Sequence, residues 1–173
     1  MSTIMCTRDL WRWLDGRGGL CDRPAPGEEL GKLGAWSAKA VVLPEGSFCV
    51  ALNEPTYLTL VFPFVPLPAF LGVFSAALRI ELEHIGVPET IIRAEVAPFF
   101  GDVTFAKNSN RSLLGSLNDV CFHLDCALED AGSVDISGLV SIQHDLNLMP
   151  HANRDLPLPV DAALLLLSGE AAA

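Results

Sequence analysis

The chain has 173 residues, half of them hydrophobic and 18% charged, with a mean hydropathy of +0.38; this describes one globular domain and excludes a disordered or low-complexity chain. Acids outnumber bases 21 to 11, for a formal charge of -10, and from residue 102 onward ten acids face three bases. Such a surface argues against nonspecific nucleic-acid binding, which needs Lys and Arg to neutralise several phosphates.

Residues 3–6 are a short β-compatible run. Thr7 then caps a helix over 8–14, with Leu10, Trp13 and Leu14 on one face. Gly16, Gly18 and Gly19 end it, and the Gly, Pro and charge of residues 17–34 predict a surface loop. Residues 35–43 and 48–52 read as a hairpin around Pro44-Glu45-Gly46-Ser47. After the Asn53-Glu54-Pro55 turn, residues 57–62 read as a third strand of an antiparallel meander. Residues 57–80 are the most apolar stretch, but Pro63, Pro66 and Pro68 interrupt any membrane helix. Pro68 instead opens an amphipathic helix with Phe70, Phe74, Leu78 and Leu82 on its stripe, closed by Gly86. A shorter helix follows from Pro88 to about residue 96, then a strand over 102–106.

The second strong helix covers about 110–129. Leu113, Leu117, Val120, Leu124 and Leu128 share one side, with Arg111, Asn118, Asp125 and Glu129 opposite. Ser109 or Asn110 caps it and Gly132 follows it. Residues 135–148 predict a further helix, 150–160 an extended tail, 161–167 a last helical turn, and 169–173 a frayed end. The expected architecture is a single α+β domain over 1–168. A small, mainly antiparallel sheet is covered by the Pro68 and Asn110 helices, and the C-terminal tail lies over the core.

Five cysteines, Cys6, Cys21, Cys49, Cys121 and Cys126, form no CxxC pair, and no basic segment precedes an apolar leader. This points to a cytoplasmic protein with reduced thiols. No GxxxxGK[ST], GxSxG, HExxH or DxDxDG motif is present. The segment with the most chemistry is the turn and helix start at Lys107-Asn108-Ser109-Asn110-Arg111-Ser112. There Lys107 and Arg111 beside free helix amides suit an anion. The plainer reading is that the Asn and Ser residues cap the helix while the cations pair with nearby acids. Asp119 and His123, four residues apart, can meet for proton transfer or simply support the helix. Cys121 and Cys126 point about 140° apart and give no shared metal face, and His144, Asp145 and His151 form only a loose group. No metal or cofactor is implied. Trp11, Trp13 and Trp36 are expected in packing rather than in a stacking platform.

Met5-Cys6-Thr7, Trp36-Ser37-Ala38 and Asn53-Glu54, with the run from Thr104 to Asp119 that contains Lys107, Asn108, Asn110-Arg111-Ser112, Gly115 and Asn118-Asp119, resemble an uncharacterised bacterial domain family. Leu146-Asn147-Leu148-Met149-Pro150 is similar to that family's L-N-x-x-P ending. Ser37 stands where the family often has His. The resemblance spans most of the chain and implies a fold and a bacterial origin, but no activity.

Two functions are weighed in detail, beside a third, a small-ligand binder using the apolar sheet and the Trp residues. The first is a non-enzymatic module that binds a protein partner in a mobile-element, toxin–antitoxin or phage-conflict setting, motivated by the absent catalytic motifs and the acidic surface. Its candidate residues are Lys107, Asn108, Asn110, Arg111, Ser112 and Asn118. The second is a small enzyme acting on phosphate esters or RNA, with an anion held by Lys107 and Arg111 and positioned by Asn118, and proton transfer by Asp119 or His123. The oligomeric state is left open.

Overall fold

The computed structural model describes residues 2–14, 31–101, 103–151 and 158–169. Twelve elements follow in chain order. β1 is Ser2–Cys6, α1 Arg8–Trp13, β2 Trp36–Leu43, β3 Gly46–Asn53, β4 Thr59–Pro63, α2 Leu67–His84 and α3 Glu89–Val96. A 3₁₀ turn spans Ala97–Phe100, followed by β5 Val103–Lys107, α4 Arg111–Ala131, α5 Ile136–Asn147 and α6 Pro159–Ser168.

One five-stranded sheet runs in the order β4-β3-β2-β1-β5. β2, β3 and β4 form the expected antiparallel meander, with Leu43 opposite Gly46 across a two-residue Pro44-Glu45 turn. β1 inserts between β2 and β5 and is parallel to both, with Ile4 beside Trp36 on one side and Phe105 on the other. The fold is α+β.

Strand alternation divides the core. Ile4, Trp36, Ala38, Ala51, Leu60, Phe62 and Phe105 face one way. They pack with Leu10 of α1, Phe70 and Phe74 of α2, Ile92 of α3, and Ala163 and Leu167 of α6. Val50, Leu52 and Val61 face the other way, against Leu113, Leu117 and Leu124 of α4 and Leu139, Ile142 and Leu146 of α5. The two main amphipathic helices, α2 and α4, thus cover opposite faces. Each fully buried Leu or Phe contributes about 1.5–3 kcal/mol relative to exposure.

The local signals explain the element ends. Thr7 accepts a hydrogen bond from the Leu10 amide at 3.3 Å, Asn110 from Leu113 at 3.2 Å and Asp135 from Gly138 at 2.8 Å, each capping a helix. Pro63 and Pro66 split the apolar stretch into β4 and α2, and among the described residues no helix is long and apolar enough to cross a membrane. Two boundaries differ from expectation. Tyr57 and Leu58 belong to the turn rather than the strand, because Tyr57 has a left-handed φ of 63°; and the last helical turn extends to three turns starting at Pro159, with Ala163 and Leu167 in the core. The expected loop over 17–30, Cys21, and the tail over 152–157 lie outside the described residues.

β4 is an edge strand, and α5 closes it. Asn147 accepts from the Thr59 amide at 2.6 Å and donates to the Thr59 carbonyl at 2.9 Å, while Gln143 accepts from the Val61 amide at 2.8 Å. The other amide arm of Gln143 donates to the fully buried carboxylate of Glu81 on α2 at 2.9 Å, and the Nδ1 of His144 lies 3.2 Å from the second oxygen of Glu81. Asn147→Ala leaves a buried amide and carbonyl unpaired; it is expected to destabilise the protein by about 2–4 kcal/mol in urea unfolding.

Candidate functional site

The polar turn between β5 and α4 is built into the sheet. The backbone amide of Asn108 donates to the Cys6 carbonyl at 3.1 Å, extending the β1–β5 pairing by one step. Its side chain is 7% exposed. The amide nitrogen donates to Ser37 Oγ at 3.0 Å, and the amide oxygen accepts from the Asn110 backbone at 3.0 Å. Ser37, fully buried, in turn donates to Glu54 at 2.8 Å. Asn108 and Asn110 therefore hold the turn and start α4. Asn118 accepts a 2.6 Å hydrogen bond from Lys39 of β2 at the exposed flank of the helix.

Lys107 and Arg111 are exposed, and among the described residues neither makes an ion pair within 4.0 Å. The expectation that they pair with nearby acids is not met among those residues. Along α4, successive side chains turn by about 100°, so Ser112, Ser116, Asp119 and His123, at i, i+4, i+7 and i+11, form one stripe. Arg111 and Asn118 point about 120–160° away from Ser116 and His123. The residues grouped in the sequence thus occupy different sides of the helix.

The serine–aspartate–histidine stripe lines a groove of about 390 Å³. Its other walls are Tyr57 of the β3–β4 turn and Met149, Pro150 and His151 after α5. The Tyr57 and His151 rings meet edge to face at 5.1 Å. The turn that carries Tyr57 is fixed by fully buried Asn53, which donates to the Leu33 carbonyl at 2.9 Å and the Ala35 carbonyl at 3.1 Å, and accepts from Thr56 at 2.7 Å. Asp119 and His123 both face the groove without a hydrogen bond or ion pair between them. Ser116 spends its hydroxyl proton on the Ser112 carbonyl at 3.3 Å, which leaves its oxygen free to accept.

Ser112, Asp119 and His123 are among the sequence candidates and His151 stands only in the loose histidine group, whereas Tyr57 and Ser116 are not singled out. The four-residue stripe was available as a spacing signal. The approach of Tyr57 and His151 was not, since it depends on the turn conformation and on where α5 ends. The loose group of His144, Asp145 and His151 is not assembled. His144 stacks on His84 with ring centroids 3.9 Å apart, and His151 packs on Tyr57. Among the described residues no three His, Cys, Asp or Glu side chains could hold a metal ion.

Among the described residues no thiol lines the groove. Burial pushes Cys6 up to about 12, and it raises Cys49 and Cys121 as well; Cys126 is exposed. Trp36 is buried in the core, while Trp11 packs on Phe105 at 5.6 Å and Trp13 on Phe64 at 5.2 Å.

An α+β protein with helices on both faces of a mixed sheet, and a polar groove beside its longest helix, is the class this geometry defines. Within that class the chain belongs to the family described as Domain of unknown function (DUF6933), whose model matches residues 3–162. No curated protein and no solved structure matches the chain.

Two outcomes follow. In a Cys21→Ser background at pH 8, a thiol reagent is expected to modify Cys126 and to reach Cys6, Cys49 and Cys121 only on unfolding. Stability is expected to fall as pH rises above the ordinary thiol value of 9.0, because the unfolded thiols lose their protons there while folded Cys6 keeps its own up to about 12; denaturant midpoints measured across pH 8–11 check the sign.

Proposed function

We propose that the protein is a non-enzymatic interaction module that docks a helical segment of a partner protein along the outer ridge of α4. The ridge is formed by Arg111, Gly115, Asn118 and Phe122, at i, i+4, i+7 and i+11, all exposed, with Asn118 at its β2 flank. Its composition carries the reading. At surface positions that packing does not decide, a helix is best filled with Ala, Glu, Lys or Gln. Here the ridge holds a glycine whose absent Cβ would meet nothing within 4 Å, and a phenylalanine that is 65% exposed. A mid-helix glycine costs roughly 0.5–1 kcal/mol relative to alanine, and no neighbour in the fold requires it. A bare backbone beside an exposed aromatic and an arginine suits the close approach of a second helix, with Phe122 and Arg111 as anchors.

The rival reading, an enzyme for phosphate esters or RNA, needs Lys107 and Arg111 beside Asp119 and His123. Neither cation lines the groove those two residues face, and Asn118 is engaged by Lys39.

Gly115→Lys is expected to leave stability unchanged or raise it by up to about 1 kcal/mol, because helix propensity improves. It should nevertheless cut retention of a stoichiometric partner at moderate salt at least tenfold, as should Phe122→Asp. Quantitative affinity capture from native lysate, paired with urea unfolding of each variant, checks this. Retention of the same partner by both folded variants, or the absence of any stoichiometric partner, would overturn the reading.

A further inference from the structure

We propose that the helix docked on this ridge is α4 of a second copy of the chain, packed antiparallel about a two-fold axis beside Asn118, with Phe122 of each copy over Gly115 of the other. The proposal rests on the reading of the ridge given above and names its partner.

The ridge extends beyond its central four residues. Asp125 and Glu129 continue it at i+14 and i+18, Glu129 exposed and Asp125 partly so. From Arg111 to Glu129 the intervals alternate between four and three residues, the spacing that keeps two helices facing along a shared seam. α4 has 21 residues, about 31 Å of helix, so the seam runs along nearly all of it.

A two-fold axis puts the same patch on both copies, so each residue pair across it occurs twice. With Gly115 opposite Phe122, the axis of an antiparallel pair passes between Asn118 and Asp119. The exposed Phe122 ring then lies over a backbone where a Cβ would meet nothing within 4 Å. Arg111 falls between Asp125 and Glu129 of the other copy, about 1.5 Å and 4.5 Å along the helix axis from them, within reach of both carboxylates. Other arrangements lose this match. A shift by one heptad sets Gly115 opposite Gly115 or Phe122 opposite Phe122, and a parallel pair in register sets every charge against its like.

The order of charges along α4 agrees. A helix dipole favours acids in the first turn and bases in the last, yet α4 has neither; it begins with Arg111 and carries Glu129 in its last turn. Within one chain both charges are misplaced. Beside an antiparallel copy, each meets an opposite charge and the opposite end of a second dipole. Asp119 and Asp130 turn about 70–90° from the seam toward the groove flank, and Lys39 stays on the β2 flank, bonded to Asn118.

The contact is small. A strip about 31 Å long and one helix wide, about 10 Å, buries less than the roughly 800 Å² per partner of a standard interface, so the dimer is weak and reversible. The formal charge of -10 opposes association at a distance. At about 0.15 M salt, screening beyond about 8 Å leaves mainly the facing charges to act.

Sedimentation equilibrium of the purified full chain with reductant, at about 0.15 M salt and up to about 1 mM protein, tests the proposal. A reversible monomer–dimer equilibrium is expected, weakened at least tenfold by Gly115→Lys, by Phe122→Asp and by Arg111→Glu. Adding Asp125→Lys and Glu129→Lys to Arg111→Glu should restore dimerisation to within threefold, because the reversed charges again face their opposites. These three reversals also suit the helix dipole, and urea unfolding confirms that each variant is folded. A monomer at the highest concentration that still captures a different stoichiometric partner, lost in Gly115→Lys, would overturn the second copy and leave the ridge reading standing. A monomer that captures nothing would overturn both. A dimer unchanged in folded Gly115→Lys and Phe122→Asp, or not restored by the triple reversal, would overturn the antiparallel α4 pair.

Discussion

The closure of the β4 edge is the constraint on which the arrangement of both faces depends. An edge strand presents a row of unpaired amides and carbonyls that invites pairing with another chain. On β4 the groups of Thr59, Val61 and Pro63 point outward. Asn147 takes both groups of Thr59 and Gln143 takes the Val61 amide, while Pro63 has no amide to satisfy. The match is metric. Four residues of helix advance about 6 Å and two residues of strand about 6.7 Å, so a Gln and an Asn at i and i+4 meet alternate outward positions of an antiparallel strand. The side-chain amides stand in for the strand that the sheet lacks. Through Gln143 the same contact reaches Glu81 on α2, so helices from opposite faces of the sheet are joined around its edge.

Other buried polar groups fix the crossings between elements in the same way. Glu95 of α3 accepts from the backbone amides of Lys32 at 2.8 Å and Leu33 at 3.0 Å, and a side chain on Gly31 would collide with its carboxylate. The Lys32 ammonium then donates to the Leu167 carbonyl near the end of α6 at 2.8 Å, where the negative end of the helix dipole favours a cation. Asn53 holds Leu33 and Ala35 on the other side. The chain entering β2 is therefore secured to α3, α6 and the β3–β4 turn at once. Buried amides and carboxylates of this kind are costly unless fully paired, and their pairing is what makes each crossing unique.

Much of the fold was legible in the sequence because its signals are local. Thr7, Asn110 and Asp135 mark helix starts by side-chain chemistry, the Pro44-Glu45 turn marks the hairpin, and the apolar stripes of α2 and α4 follow the helical period. What stayed hidden depends on distant partners. Nothing in Thr3-Ile4-Met5-Cys6 states that β1 lies parallel between β2 and β5, since a short strand with either neighbour reads alike. Gln143 and Asn147 look like ordinary helix residues until β4 is beside them. The candidate site was legible to the same extent: the Lys107–Asp119 segment stands out, and its spacing already spreads its polar residues over more than one helix face. Periodicity alone separates Arg111 and Asn118 from Ser116 and His123, whereas the roles of Ser37, Lys39 and Tyr57 require the sheet.

α4 thus serves three neighbours through three sides. Its apolar side packs on β3 and α5, its Asn118 flank is tied to β2, and its Ser112–His123 stripe borders the groove. Phe122 stands between the groove and the outer ridge, lining the first and exposed on the second. α4 is anchored at its start by Asn110 and along its length by six buried side chains.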